Sequence, residues 1–119
     1  AGLYDKIIYN IYCMEIILSK IGMLLERHFG VSLEEIRTPC RRQRVTDART
    51  VFIHIMYFHK LMNGVKLSNY LNCTSRNSYY HIRKFEDMKE IKAYSKIISK
   101  FEHEAKLEIE SWRESYMPK

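Results

Sequence analysis

The chain has 119 residues, and 46% of them are hydrophobic. A chain of this size can form one compact core and hardly two, so we expect a single domain spanning residues 1–119. Its 20 lysines and arginines outnumber its 14 aspartates and glutamates, and the net charge of +6 favours polyanions over acidic-protein partners of the calmodulin type. Three widely spaced cysteines exclude a disulfide framework, and no signal peptide or bilayer-spanning apolar run is apparent, so we expect a cytoplasmic protein without membrane contact.

The first predicted element is a long helix over residues 3–29, ended by Gly30. Its apolar residues alternate four and three apart, which is a heptad seam: Ile7, Ile11, Met14, Leu18, Ile21 and Leu25, widened by Ile8, Ile17 and Leu24. This broad face can pack against its own domain, a second chain, or both. We favour packing within the chain, because three heptads are close to the minimum for a coiled coil.

A short helix follows, since Ser32 stands three residues before Glu35 in a capping box. Between Thr38 and Asp47 the sequence is predicted to form a loop, and this stretch is the most basic in the chain. Four arginines fall within eight positions here, from Arg37 just before the loop to Arg41, Arg42 and Arg44. A solvated surface loop explains such a stretch, but clustered guanidinium groups match phosphate oxygens well, and we favour phosphate contact.

The next helix is predicted from Asp47 to about Met62, with Thr46 or Asp47 as its N-cap. Its apolar residues indicate the central helix of the core. His54 and His59 are five residues apart and so lie on different faces, which argues against a helical metal site. No metal is expected.

Residues 63–88 have the pattern of a helix-turn-helix. A short helix carries Leu67 and Leu71, residues 72–74 form a polar break, and a second helix buries Tyr79, Ile82 and Phe85. The opposite face of the second helix then presents polar and basic side chains that suit a DNA groove: Ser75, Arg76, Asn77, Tyr80, Arg83 and Lys84. A packed helical hairpin with a solvated charged face is the alternative interpretation.

The last predicted element is an amphipathic helix over residues 93–116. It can pack back against the first helix, since both carry long apolar stripes. Its aromatic end, Trp112 and Tyr116, would either cover the core or take part in a homodimer contact through the terminal helices.

Across residues 30–105 the order of motifs resembles the C-terminal DNA-binding domain of the bacterial replication initiator DnaA. The matching pieces are Phe-Gly-Val-Ser-Leu-Glu-Glu-Ile at 29–36, Arg-Arg-Gln-Arg-Val at 41–45, Asp-Ala-Arg-Thr-Val at 47–51, Leu-Ser-Asn-Tyr-Leu-Asn at 67–72 and Ile-Arg-Lys-Phe-Glu-Asp at 82–87. The resemblance implies an all-α, Trp-repressor-like helical bundle whose recognition helix enters the major groove of DNA while the basic loop holds phosphates or the minor groove.

On this interpretation the recognition helix uses the outward residues of 75–84 given above, and Arg41, Arg42, Arg44 and Arg49 bind the DNA backbone, with Thr74 as a hydroxyl donor to phosphate. The sequence departs from the family where recognition begins. The family signature Arg-Asp-His-(Ser/Thr)-Thr-Val is replaced by Cys-Thr-Ser-Arg-Asn-Ser at 73–78. Since each good base contact discriminates by about 1 to 3 kcal/mol, the family's usual binding site should not be recognised.

The sequence contains no Walker or dinucleotide-binding loop, so we expect neither a bound nucleotide nor another cofactor. It also contains no recognisable nucleophile motif, so we do not expect an enzyme. The sequence therefore predicts a double-stranded DNA-binding protein, a small bacterial or phage regulator or replication-accessory factor without ATPase activity. Two alternatives stay open: a helical protein-interaction and dimerisation module that keeps the fold without specific DNA binding, and an RNA-binding protein.

Overall fold

The computed structural model describes residues 2–73 and 75–117, with the side chains of all of these except 75–80 and 92, and over this part of the chain the fold is all-α. Six helices follow one another there: α1 (Leu3–Phe29), α2 (Leu33–Arg37), α3 (Gln43–Phe58), α4 (Gly64–Tyr70), α5 (Ser75–Lys89) and α6 (Lys92–Tyr116). The predicted all-α class is confirmed. α3 packs against each of the other five helices and is the centre of the hydrophobic core.

α1 and α6 form an antiparallel pair, as their apolar stripes predicted. Near one end of the pair, the indole Nε1 of Trp112 donates a 2.7 Å hydrogen bond to the carbonyl oxygen of Cys13. Near the other end, Nε2 of His28 lies 2.9 Å from a carboxylate oxygen of Glu104. Trp112 is only 1% exposed, so its ring covers the core, which decides between the two alternatives for this aromatic side chain.

The heptad seam of α1 is divided between two environments. From Cys13 onward it contributes to the core, where Ile17, Ile21 and Leu25 are fully buried. All residues from Leu3 to Tyr12 are exposed. The seam is therefore only half used by the domain itself.

The expectation that no stretch is apolar enough to span a bilayer is wrong for α1, which is long and apolar enough by length and composition. Such a helix can be a membrane span, a signal sequence or a core helix. A third of its apolar stretch is buried inside this structure, where it packs against α3 and α6.

The capping box of α2 is present as predicted, with the Ser32 hydroxyl accepting the Glu35 backbone N–H at 3.2 Å. The start of α3 differs from the prediction. The helix begins at Gln43, one turn earlier than Asp47, because Val45 is buried and gives this turn a place on the core. Asp47 is not a cap but a buried side chain inside the helix.

The predicted end of α3 is also wrong. The helix ends at Phe58, not near Met62, and the backbone N–H groups of Leu61 and Met62 both donate to the carbonyl oxygen of Met56. This turn requires a positive φ of 59° at Lys60. Asn63 then begins the next helix: its side chain accepts the Lys66 N–H at 2.9 Å.

Candidate nucleic-acid interface

The surface predicted to bind nucleic acid is built on α4, α5 and the turn between them. Leu67 and Leu71 are buried as predicted, and Phe85 on α5 is fully buried, while Ile82 is only partly covered. α5 packs on α3 and α4, which fixes the orientation of its outer face.

The turn between α4 and α5 depends on a left-handed residue. Asn72 has a φ of 56°, a conformation that asparagine tolerates better than most residues. The Cys73 N–H then donates to the carbonyl oxygen of Ser68 at 2.9 Å. The polar break predicted at 72–74 is thus a turn in its described residues, and it leads from the short helix α4 to the longer helix α5.

Arg83 and Lys84 are the two predicted recognition residues whose side chains the structure describes. Arg83 is exposed and Lys84 is half-buried on α5. The remaining members of that prediction lie outside the described side chains: Ser75, Arg76, Asn77 and Tyr80. Thr74, predicted to contact phosphate, is outside the described residues altogether.

The basic segment lies at the entrance to α3. Arg41, Arg42 and Arg44 are exposed, Arg42 being the N-cap of α3 and Arg44 belonging to its first turn. That first turn contains no acidic residue and no side-chain cap. The three arginines thus lie at or just before the positive end of the helix dipole.

Arg37, the first arginine of the basic stretch, ties the end of α2 to the turn before α5. Its Nε donates a 2.9 Å hydrogen bond to the carbonyl oxygen of Tyr70, and its guanidinium carbon lies 4.4 Å from the centre of the Tyr70 ring. In return, the Asn72 side-chain amide donates to the carbonyl oxygen of Arg37 at 3.1 Å. Two reciprocal bonds thus hold the loop after α2 beside the α4–α5 turn.

Arg49 has a different environment from the other arginines assigned to phosphate. Its Nε donates to the carbonyl oxygen of Ile36 at 2.8 Å, and its Nη2 donates to that of Thr38 at 3.0 Å. Both acceptors belong to the end of α2. Arg49 therefore holds the basic loop in place from inside, an arrangement that the sequence offered no signal to predict.

A buried hydrogen bond connects α3 to α5. His81 is 4% exposed, and its Nδ1 lies 2.6 Å from the Thr50 hydroxyl oxygen. Burial, helped by the nearby charges of Arg49 and Lys84, lowers the pKa of His81 to about 4. The imidazole is thus neutral at pH 7 and packs between α3 and α5.

Asp47 makes a second buried polar contact, between α3 and α6. Its two carboxylate oxygens accept hydrogen bonds of 2.7 Å from the Gln43 amide and from the Tyr94 hydroxyl. This contact raises the pKa of Tyr94, since ionisation would place a phenolate beside the carboxylate. The pair anchors the first turn of α3, and with it the base of the arginine segment.

Among the described side chains, no group of three or more histidine, cysteine, aspartate or glutamate residues is arranged to hold a metal ion. His54 lies stacked on Phe85, with ring centres 3.7 Å apart, and burial is the main cause that lowers its pKa to about 4. The His54 ring is therefore packed against a core side chain.

The comparisons with known proteins add no family to this geometry: no protein-family model, curated protein or solved structure matches the chain.

Proposed function

We propose that this protein binds double-stranded DNA through α4 and α5 used as a helix-turn-helix, in the manner of the DnaA C-terminal domain that its sequence resembles. α5 would enter the major groove. The arginines before and within the start of α3 would contact phosphates on the flanking backbone. The chain would act as a small regulator or replication-accessory factor without ATPase activity.

The observation that carries the proposal is the reciprocal pair of hydrogen bonds between Arg37 and the α4–α5 turn. It holds Arg37, at the end of α2, beside the turn that leads into α5, and the exposed arginine segment begins four residues after Arg37. Phosphate contacts position a DNA-binding protein on the duplex, and base contacts from a helix give it specificity. A sequence-specific DNA-binding protein therefore needs its phosphate-binding residues and its recognition helix on the same side of the molecule.

Charge supports the same surface. Arg41, Arg42, Arg44 and Arg83 are exposed, and none of them is in an ion pair among the described contacts. By contrast, Arg27 on α1 and Lys89 near the end of α5 have carboxylate partners 3.3 Å away. The arginines that would meet phosphate are thus available to do so.

Specificity would come from Arg76 and Asn77, because arginine pairs well with guanine and asparagine with adenine in the major groove. Since the sequence at 73–78 departs from the DnaA signature, the preferred site would differ from that of the initiator. Asn77→Ala would relax the preference at one base position, at a cost of about 1 to 3 kcal/mol in discrimination.

Selection from a randomised duplex pool, followed by anisotropy titration between about 50 and 200 mM salt, tests the proposal. We expect an enriched motif and a log–log salt slope of about −0.9 for each contacted phosphate. The double substitution Arg41→Ala and Arg42→Ala should lower affinity for all sequences and reduce the steepness of the slope by about 2 units.

The matched control removes two positive charges from α6, through Lys100→Ala and Lys106→Ala, both exposed. If this control weakens binding as much as the arginine pair does, net charge alone would explain the affinity. No binding to duplex DNA at low salt would overturn the proposal, and stronger binding to folded RNA of the same length would favour the RNA-binding alternative.

The protein-interaction alternative has one observation in its favour, the exposed apolar residues at the start of α1. That surface lies on a different element from the arginines and from α5. The two functions are therefore compatible.

A further inference from the structure

The first turns of α1 carry an apolar surface that the domain does not cover. Its large side chains are between about half and three quarters exposed: Leu3 at 74%, Tyr4 at 72%, Ile7 at 48%, Ile8 at 49%, Ile11 at 59% and Tyr12 at 59%. A typical monomer has its largest apolar patch at roughly 300–600 Å², and these six side chains approach or exceed that range.

This surface faces away from α6. The Tyr9 hydroxyl donates to the carbonyl oxygen of Tyr116 at 3.3 Å, and the Cys13 carbonyl accepts from Trp112, so Tyr9 and Cys13 mark the side of α1 that faces α6. At about 100° per residue, Ile7 and Ile11 lie on the opposite side of the helix. We name the exposed residues Tyr4, Ile7, Ile8 and Ile11 the α1 stripe.

The α1 stripe leads into a cleft. Ile11, Met14 and Leu18 line one wall, and Leu61 and Met62, at the end of the turn after α3, line the other, enclosing about 540 Å³. The heptad positions that are exposed at the start of α1 thus continue as the wall of this cleft and then enter the core.

We propose that the α1 stripe and this cleft are the dimer interface of the protein, with the α1 helices of two copies packed antiparallel about a two-fold axis near Ile7 and Ile8. In that arrangement Tyr4 of one copy faces Ile11 of the other, and Ile7 faces Ile8. The same residues contribute from both sides, as a two-fold interface requires.

The area of the surface fits a second copy. A standard interface buries roughly 800 Å² on each partner, and the proposed interface reaches that size only if the α1 stripe and the cleft walls are both covered. The contact is centred on aliphatic and tyrosine side chains, the composition typical of the buried centre of a homodimer interface.

Charge favours a second copy over a membrane surface. The segment carries one carboxylate and one ammonium group, Asp5 and Lys6, and the cleft rim carries Glu15 and Lys66. These charges balance, so two copies can face each other without net repulsion. Helices that lie on anionic membranes instead have a polar face rich in lysine and arginine.

Sedimentation equilibrium of the chain over about 1 to 100 µM tests the interface. We expect a concentration-dependent shift from about one to two protomer masses. The double substitution Ile7→Glu and Ile11→Glu should remove the shift, and its helical content by circular dichroism should match the unmodified chain because both positions are exposed. The control, Leu107→Glu with Ile91→Glu, alters two apolar residues that are 52% and 50% exposed on other parts of the surface and should still dimerise.

Cysteine cross-linking tests the antiparallel arrangement. In a background with Cys40 and Cys73 replaced by serine, the variants Tyr4→Cys and Ile11→Cys are mixed and oxidised. A mixed disulfide that forms in preference to either homodisulfide supports antiparallel packing, whereas homodisulfides alone would overturn it.

Three further outcomes would overturn the dimer proposal: a monomer at every concentration, association that persists in the Ile7→Glu and Ile11→Glu variant, or a monomer that co-sediments through this segment with phosphatidylcholine and phosphatidylserine vesicles. None of these measurements involves DNA, so the proposal succeeds or fails independently of the proposed DNA binding.

Discussion

The Thr50 hydroxyl oxygen lies 2.6 Å from Nδ1 of His81, and this buried contact joins α3 to α5. The hydroxyl has one hydrogen, which it donates to the Thr46 carbonyl oxygen 3.0 Å away, so it accepts the hydrogen of Nδ1. We therefore expect the Nδ1–H tautomer of a neutral imidazole.

Two substitutions at Thr50 test this contact. Thr50→Val keeps the shape of the side chain but removes the acceptor for the His81 Nδ1–H, which should lower the free energy of unfolding by about 1 to 3 kcal/mol. Thr50→Ser keeps the hydroxyl and should cost less. Long-range ¹H–¹⁵N NMR of the unmodified protein reports the tautomer directly, and an Nε2–H form would contradict the assignment.

Stability should fall as the pH drops below neutrality. Burial is the main cause that lowers the pKa of His54 and His81 to about 4 in the folded protein, whereas an unfolded histidine titrates near 6.5. Between these values the unfolded chain binds protons that the folded chain does not. Each imidazole therefore contributes a loss of roughly 1 to 3 kcal/mol, which is absent above pH 6.5 and develops as the pH falls toward 4.

Urea unfolding of His81→Gln and His54→Phe at several pH values separates this effect from that of the carboxylates. Both variants should show a shallower loss of stability between about pH 6.5 and 4.5 than the unmodified chain. The exposed His103 provides the control, through His103→Gln. An unchanged slope in the His81 variant would mean that its imidazole is accessible to protons in the folded state.

Arg49 should matter more for stability than its arginine neighbours. Arg49→Ala leaves the carbonyl oxygens of Ile36 and Thr38 without the donors that they have in the structure, so we expect a loss of about 1 to 3 kcal/mol. Arg42→Ala, at an exposed position, should change stability by less than about 0.5 kcal/mol. Thermal unfolding followed by circular dichroism measures both, and equal effects would contradict the distinction between the structural Arg49 and the exposed Arg42.

Trp112 is the only tryptophan of the chain and is almost fully buried. Its fluorescence should be blue-shifted in the folded protein and shift to longer wavelength on unfolding. Trp112→Phe removes the donor to the Cys13 carbonyl and leaves a cavity, so it should cost about 1 to 3 kcal/mol. The control is Tyr57→Phe at an exposed position. A comparable loss of stability in this control would contradict a specific contribution of the Trp112 contact between α1 and α6.

Local signals in the sequence were sufficient for the helices whose ends are chemically marked. Gly30 ends α1 in a left-handed conformation, and Ser32 with Glu35 starts α2, because caps act through neighbouring residues alone. The predicted start of α3 was wrong because it depends on a contact that is distant in sequence. Asp47 has the side chain of a cap, but its carboxylate is used by Tyr94, which is 47 residues away in sequence.

Periodicity alone determined that α1 and α6 are amphipathic and that the chain is all-α, because the spacing of apolar residues follows from helix geometry. Only the tertiary structure decided how much of the α1 seam the domain uses, since that depends on where α6 and α3 lie beside it. The same holds for the arginines. Arg42 and Arg49 look alike in sequence, and only the positions of the Ile36 and Thr38 carbonyls make Arg49 a structural residue while Arg42 is exposed to solvent.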